Sequence, residues 1–204
     1  MAENTEQFRW IVMIKENIEA LFQDNPDVFV AGDLLWYPIE GRNDIRRAPD
    51  TMVVFGRPKG RRGSYRQWEE GGIAPQVVFE VLSPGNTLTE MLEKREFYEE
   101  HGVEEYYIYN PDTDELTGML REGDKLHVQN QMDGWVSPRL GIRFDTSGTE
   151  LRLFAPDGQP FVSFSTLKQQ RDDARQQRDD ARQRAERLAA RLRELGIEPD
   201  AEAG

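Results

Sequence analysis

The chain contains no cysteine. Disulfide frameworks, thiolate metal ribbons and thiol catalysis are therefore excluded. Histidine is almost as scarce: His101 and His127 are the two present, and they stand in no ligand-like spacing. That speaks against a histidine metal site or a Ser-His triad. No apolar run approaches the ~20 residues a membrane helix needs. The polar, acidic start from Met1 to Arg9 has no signal-peptide pattern. A cytoplasmic protein with no membrane partner is the expectation. A glycine loop ending in Lys-Ser or Lys-Thr is also missing, which argues against a P-loop NTPase.

Positive charge is in short supply. Lys and Arg number 26 against 38 Asp and Glu, a net charge of −12. Residues 1–166 hold 17 of the cations and 29 of the acids, whereas residues 167–204 hold nine of each. The excess thus belongs to the body of the chain. Nucleic acid must be met by a local basic patch, because the overall field repels phosphate.

The 204 residues suffice for one domain with an appendage. Residues 6–22 have helical spacing, with Trp10, Ile14, Ile18, Leu21 and Phe22 on one face, and Asn25-Pro26 stops them. Residues 28–37, 52–55 and 76–82 read as strands. Residues 88–101 read as a helix capped by Gly102, with Asn86 or Thr87 as N-cap, and 105–109 as a further strand. Hairpin pieces follow at 116–121, 125–129 and 151–154, the first two around Gly123-Asp124. The fold class is α/β: helix, three strands, helix, strand, then a β-rich C-terminal extension and a long charged helix. The domain is placed at 1–165, the charged helix at 166–198 and a tail at 199–204.

That helix carries QRDDAR twice, at 170–175 and 177–182, a seven-residue repeat. Leu167, Ala174, Ala181, Leu188 and Leu195 keep the register, while Arg171, Arg178, Ala185 and Leu192 occupy the positions four further on. Two readings stand: a solvated helix, or a weak coiled coil that helps form a homodimer.

Strand alternation turns Val78, Glu80 and Leu82 one way and Val77, Phe79 and Val81 the other. Glu80 therefore sits in an almost wholly apolar strand, where a carboxylate is costly unless paired, hydrogen-bonded or bound to a metal. Asp50 opens a similar strand directly after Pro49. Lys94 lies three residues after Met91 and four before Tyr98, on the face those side chains bury. Its ammonium either snorkels to water or reaches inward to the two acids. In the second case Asp50, Glu80 and Lys94 form a hydrolytic site in which the carboxylates hold Mg²⁺ or Mn²⁺.

APDTMVVF (48–55), VVFEVLSPGN (77–86) and EKREFYEEHGVEEYYIYNPD (93–112), with the lengths between them, resemble the Uma-two family of restriction-endonuclease-like proteins. That family is a branch of the PD-(D/E)xK nuclease superfamily abundant in cyanobacteria. The resemblance covers roughly residues 8–165. It implies a restriction-endonuclease-like core and DNA as substrate, with Asp50 as the motif's Asp and Glu80 as its second acid. It also implies the backbone carbonyl of Val81 as a further metal ligand. Leu82 stands where the superfamily pattern places lysine, and in this branch the lysine of the following helix, Lys94 here, takes that role.

Asp33 completes the metal shell or is a solvent-facing acid, and Glu16 or Glu19 on the first helix plays the part of a helix acid or is merely solvated. Arg57, Lys59, Arg61, Arg62 and Arg66, interleaved with glycines and beside Tyr65 and Trp68, follow the Asp50 strand. They are expected to rise at the rim of the site as its nucleic-acid contact, or to form a solvated loop. The function expected is a metal-dependent DNA endonuclease. The alternative is an inactive nuclease-fold module that binds nucleic acid or protein through the basic loop or the C-terminal helix.

Overall fold

Asn4 starts the first helix by accepting the Gln7 N–H at 2.7 Å, and α1 runs over Thr5–Leu21. It buries Trp10, Ile11, Met13, Ile14 and Ile18 along one stripe, as a 3.6-residue period requires. The computed structural model describes residues 4–194. After α1 come β1 (Val28–Ala31), β2 (Trp36–Tyr37), β3 (Thr51–Phe55) and β4 (Tyr65–Arg66), then a 3₁₀ turn over Gln67–Glu70. There follow β5 (Val77–Val81), α2 (Leu88–Glu100), β6 (Glu105–Asn110), β7 (Glu115–Glu122) and β8 (Lys125–Val128). β9 (Arg143–Asp145), β10 (Arg152–Phe154) and α3 (Phe164–Glu194) are the last elements among the described residues.

The main sheet has six strands in the order β1-β3-β5-β6-β7-β8. β5 is central and its five residues are all buried, which explains why VVFEV reads as a continuous apolar run. β5 and β6 are parallel, so the chain must cross over between them, and α2 is that crossover. The other neighbouring pairs are antiparallel. Gly123, at φ 61°, opens the two-residue turn between Glu122 and Lys125, a conformation that suits glycine.

Alternation along the strands divides the core in two. Val53, Val77, Phe79, Val81, Tyr107 and Tyr109 face α1 together with Phe144 and Leu153 of the β9–β10 hairpin. Met52, Val54, Val78 and Tyr106 face Phe97 and Tyr98 of α2, joined by Trp36 and Tyr65.

The expected strand over 28–37 is broken. Asp33 adopts φ 49° and its N–H donates to the Pro49 carbonyl at 3.0 Å. The turn diverts β2 out of the main sheet to pair, in parallel, with β4. Neither β4 nor β9 was expected, because two or three residues carry too little periodicity to register.

Glu105 opens β6 and is buried, although its neighbours in the sequence gave it no part to play. Its carboxylate accepts from the Tyr107 hydroxyl at 2.8 Å, the Arg139 N–H at 2.5 Å and the Ser137 hydroxyl. The acid thereby ties the segment leading into β9 to the sheet.

The chain divides into two compact units, Met1–Phe161 and Val162–Gly204. In the second unit α3 extends 31 residues with none buried, about 46 Å at ~1.5 Å per residue. Leu167 and Leu188 are 50% and 65% exposed. Leu195 of the seven-residue seam, the end of the expected helix and the expected tail lie outside the described residues. Among the described residues no helix is long and apolar enough to cross a membrane.

Glu105→Ala should lower stability by about 2–4 kcal/mol, since three donors lose their shared acceptor in a buried site. The urea midpoint of the purified protein measures this.

Candidate active site

The register of the central strands builds the site. Thr51 lies opposite Phe79 and Met52 opposite Val78, so one step further Asp50 faces Glu80. Thr51 and Phe79 point to α1, hence the residues on either side point to α2. Both acids are buried, at 9% and 2% exposure. Asp50 Oδ2 accepts the Val81 N–H at 2.7 Å.

Helix α2 supplies the partners. It starts at Thr87, whose side chain accepts the Glu90 N–H at 3.2 Å, while Asn86 is spent on the preceding turn, accepting the Ser83 N–H at 2.8 Å. Lys94 and Tyr98 are one turn apart and so share a face. The Lys94 ammonium donates to Glu80 Oε2 at 2.9 Å, and the Tyr98 hydroxyl to Oε1. Asp50, Glu80 and Lys94 are thus brought together. The lysine turns inward, with 17% of its side chain exposed and Glu90 3.6 Å away.

The electrostatics follow from burial. Loss of solvent pushes the Glu80 carboxyl up to about 7, and the Asp50 charge adds to the rise against the pull of Lys94 and Tyr98. Asp50 is raised by burial too, opposed by the Val81 N–H and Lys94 and helped by the charge of Asp33. Burial alone would lower Lys94, but Glu80, Asp50 and Glu90 outweigh it and its net shift is upward. The ion pair therefore holds one member more firmly charged while the other pays for desolvation. Two carboxylates meet one ammonium in a poorly solvated place, and the upward shift of both acids is the response to that crowding of negative charge.

Val81 carries the other expected donor. Its carbonyl accepts the Gln7 side-chain amide at 2.7 Å. Gln7 is a residue that sequence reasoning missed, a buried polar side chain three positions before Trp10 on the packed stripe of α1. Its one visible signal was that position. The Tyr98 hydroxyl was missed as well, because the residue read simply as core.

The remaining expected residues lie elsewhere. Asp33 is exposed in the turn after β1, not in a strand. Among the described residues no three Asp, Glu or His side chains gather as a metal-holding group, and Asp33 acts on Asp50 through its charge. Glu16 and Glu19 are 60% and 48% exposed and both pair with Lys15.

The basic loop requires a correction. Asp50 precedes β3 and the loop follows it, so the length of the strand, about 17 Å at ~3.4 Å per residue, separates them. The expectation of a basic rim beside the acids overlooked the direction of the strand. Gly56 and Lys59 instead bond through their N–H groups to Asp27 and Pro26, at 2.8 and 3.1 Å. The Lys59 ammonium caps the end of α1 by donating to the Phe22 and Gln23 carbonyls at 2.6 and 2.7 Å. Arg57 and Arg62 hold Glu70 at 2.8 and 2.6 Å. Arg66, on β4, pairs with Glu69 at 3.1 Å, and Arg61 makes no side-chain hydrogen bond or ion pair among the described residues.

Two carboxylates and a backbone carbonyl are the hard oxygen donors that a divalent cation such as Mg²⁺ or Mn²⁺ takes. The donor types match such an ion, and each is engaged within the chain: Glu80 by Lys94 and Tyr98, Asp50 by the Val81 N–H and the Val81 carbonyl by Gln7. The profile of the Uma2 family, described as "Putative restriction endonuclease", matches residues 3–159. The fold is similar to that of a solved structure from Anabaena variabilis ATCC 29413, titled as "a putative nuclease belonging to DUF820". The two share 16% identity with a TM-score of 0.51, over 67% of this chain and 74% of the other. No curated protein matches the chain.

Because the folded carboxyl of Glu80 lies above its ordinary value of 4.5, the native state holds that proton more tightly than the unfolded chain. Its contribution is complete below pH 4.5 and declines as pH rises through about 7, by on the order of 3 kcal/mol. In EDTA, urea unfolding across this range should show a shallower decline for Glu80→Gln than for the wild type. Equal slopes would contradict the assignment.

Proposed function

The chain belongs to the Uma2 family, and on that premise we propose that it is a metal-dependent DNA endonuclease hydrolysing phosphodiester bonds at Asp50, Glu80 and Lys94. The observation that supports this most is the facing pair of buried carboxylates with an ammonium 2.9 Å from one of them. Asp50, Glu80 and the Val81 carbonyl would hold Mg²⁺ or Mn²⁺. Bound there, the cation would lower the pKa of a coordinated water and neutralise phosphoryl charge.

The chain's own residues prepare the rest. The Val81 N–H orients Asp50, and the Gln7 amide holds the Val81 carbonyl. Tyr98 occupies Glu80 Oε1 and leaves Oε2 towards Lys94. Lys94, kept protonated by its acidic surroundings, presents positive charge to the phosphoryl oxygens as their charge grows. Burial strengthens each of these interactions. A cytoplasmic location belongs to the same reading.

A homodimer formed through the exposed α3 belongs to the same proposal. Its seven-residue repeat presents Leu167 and Leu188, 50% and 65% exposed, to a second copy of the same helix. Sedimentation of the full chain should show a dimer that Leu188→Lys weakens; a monomer at all concentrations would remove this part of the proposal.

Supercoiled plasmid should be nicked or cut in Mg²⁺ or Mn²⁺ and left intact in EDTA. Asp50→Asn, Glu80→Gln and Lys94→Met should each lower the rate by at least about 100-fold, a loss in the range of a removed transition-state contact, with folding checked by circular dichroism. Undiminished cleavage by the two acid variants would overturn the reading.

A further inference from the structure

β2 and β4 are two residues each, and alternation gives each an inward and an outward side chain. The inward ones anchor the pair. Trp36 and Tyr65 are fully buried. Trp36 donates through its indole N–H to Gln67 at 3.0 Å, and the Tyr65 hydroxyl donates to the Ile73 carbonyl at 2.7 Å. The outward ones, Tyr37 and Arg66, open onto a groove of about 650 Å³ whose walls include Arg46, Trp68, Glu40 and Glu69. Nothing in the proposed reaction uses this groove.

It lies close to the acids. Trp36 and Arg47 exchange backbone hydrogen bonds at 2.7 and 3.2 Å, which places the groove's Arg46 four residues before Asp50. Four residues span at most about 14 Å. Trp36 also stacks on Tyr98, 6.3 Å between centroids and 1° between planes, and Tyr98 donates to Glu80. At about 3.4 Å per nucleotide along one strand, the groove is within roughly four nucleotides of a phosphate held at the acids.

Its cations differ from those of the basic loop. Arg57 and Arg62 are committed to the shielded Glu70, 14% exposed. Arg66 pairs with Glu69, but both are more than half exposed, at 53% and 57%, and such a pair is readily given up. Arg46 is exposed, makes no ion pair within 4.0 Å among the described residues and lies 6.0 Å over the Tyr37 ring, its guanidinium donating to the Asn43 carbonyl at 2.6 Å and its charge felt by Asp44.

We infer that this groove binds one unpaired nucleotide of the nucleic-acid substrate, a short distance along the strand from the scissile phosphate; this rests on the nuclease reading above. Tyr37 and Trp68 offer faces on which a base stacks. Arg46 and Arg66 suit its phosphate or the acceptor edge of guanine. Glu40 and Glu69 accept from the exocyclic amine of cytosine or adenine. Two acids facing two arginines disfavour a bare phosphate, whereas a nucleotide carries donors, acceptors and an anion together.

The test is binding of a single-stranded DNA 12-mer containing 2-aminopurine to the full chain in EDTA, where no cleavage can occur. The wild type should bind it, change its emission, and prefer it to the fully paired duplex. Trp68→Ala and Tyr37→Ala should each weaken binding about fivefold to over a hundredfold, the worth of one base–aromatic stack, and Trp68→Phe should retain most of the affinity. Arg46→Ala, an exposed position that spares the fold, should weaken binding and lessen its salt dependence. Inorganic phosphate should not compete. Equal affinity across all variants, no binding by the wild type, or a preference for paired duplex would each overturn the inference. Binding through the groove without cleavage in Mg²⁺ would uphold it and sink the nuclease reading instead, so the two failures are distinct.

Discussion

Much of the body is arranged around the burial of Glu80. A carboxylate at 2% exposure in the central strand would be strongly unfavourable alone. Lys94 and Tyr98 meet its two oxygens, and both come from α2. That helix must therefore lie across the end of the sheet with one particular turn facing the acid. The parallel pairing of β5 with β6 allows this, because the crossover between them has to pass over that face. Asp50 is tied to the same point by the Val81 N–H. The candidate site and the fold are one set of contacts here.

The acidic body sets the terms on which a nucleic acid can approach. A net charge of −12 gives no long-range attraction to phosphate, so recognition has to be local. Most of the loop between β3 and β4 is occupied with internal duties: Lys59 caps α1, and Arg57 and Arg62 neutralise Glu70. Cations used in this way hold a loop against the sheet rather than display it. The arginines at β4 and before Asp50 are less committed, and they stand beside aromatic rings. Charge type alone did not distinguish the two groups; partners and burial did.

Much of this was legible beforehand. The helices, the central strands and the face on which Glu80 lies followed from periodicities of 3.6 and 2. The spacing of Lys94 from Tyr98 brought the ammonium to the face of the helix that packs on the sheet. The short strands β4 and β9 were not legible, and neither was the left-handed turn at Asp33 that separates β2 from β1. Gln7 went unnoticed for another reason. Its partner is the carbonyl of Val81, 74 residues away, and backbone acceptors leave no mark in a sequence.

The sequence by itself determined which residues form helices and strands, which faces they bury, and that an acid in β5 had to find partners. These are local properties, carried by residue type and spacing. Only the tertiary structure decided the rest: that Asp50 stands opposite Glu80, that the basic loop lies at the other end of β3, and that Tyr37 and Arg66 share a groove with Arg46, four residues before Asp50. Each depends on strand direction and register, which are set by contacts between segments far apart in the chain. Two acids 30 positions apart become one site only when antiparallel pairing puts them side by side.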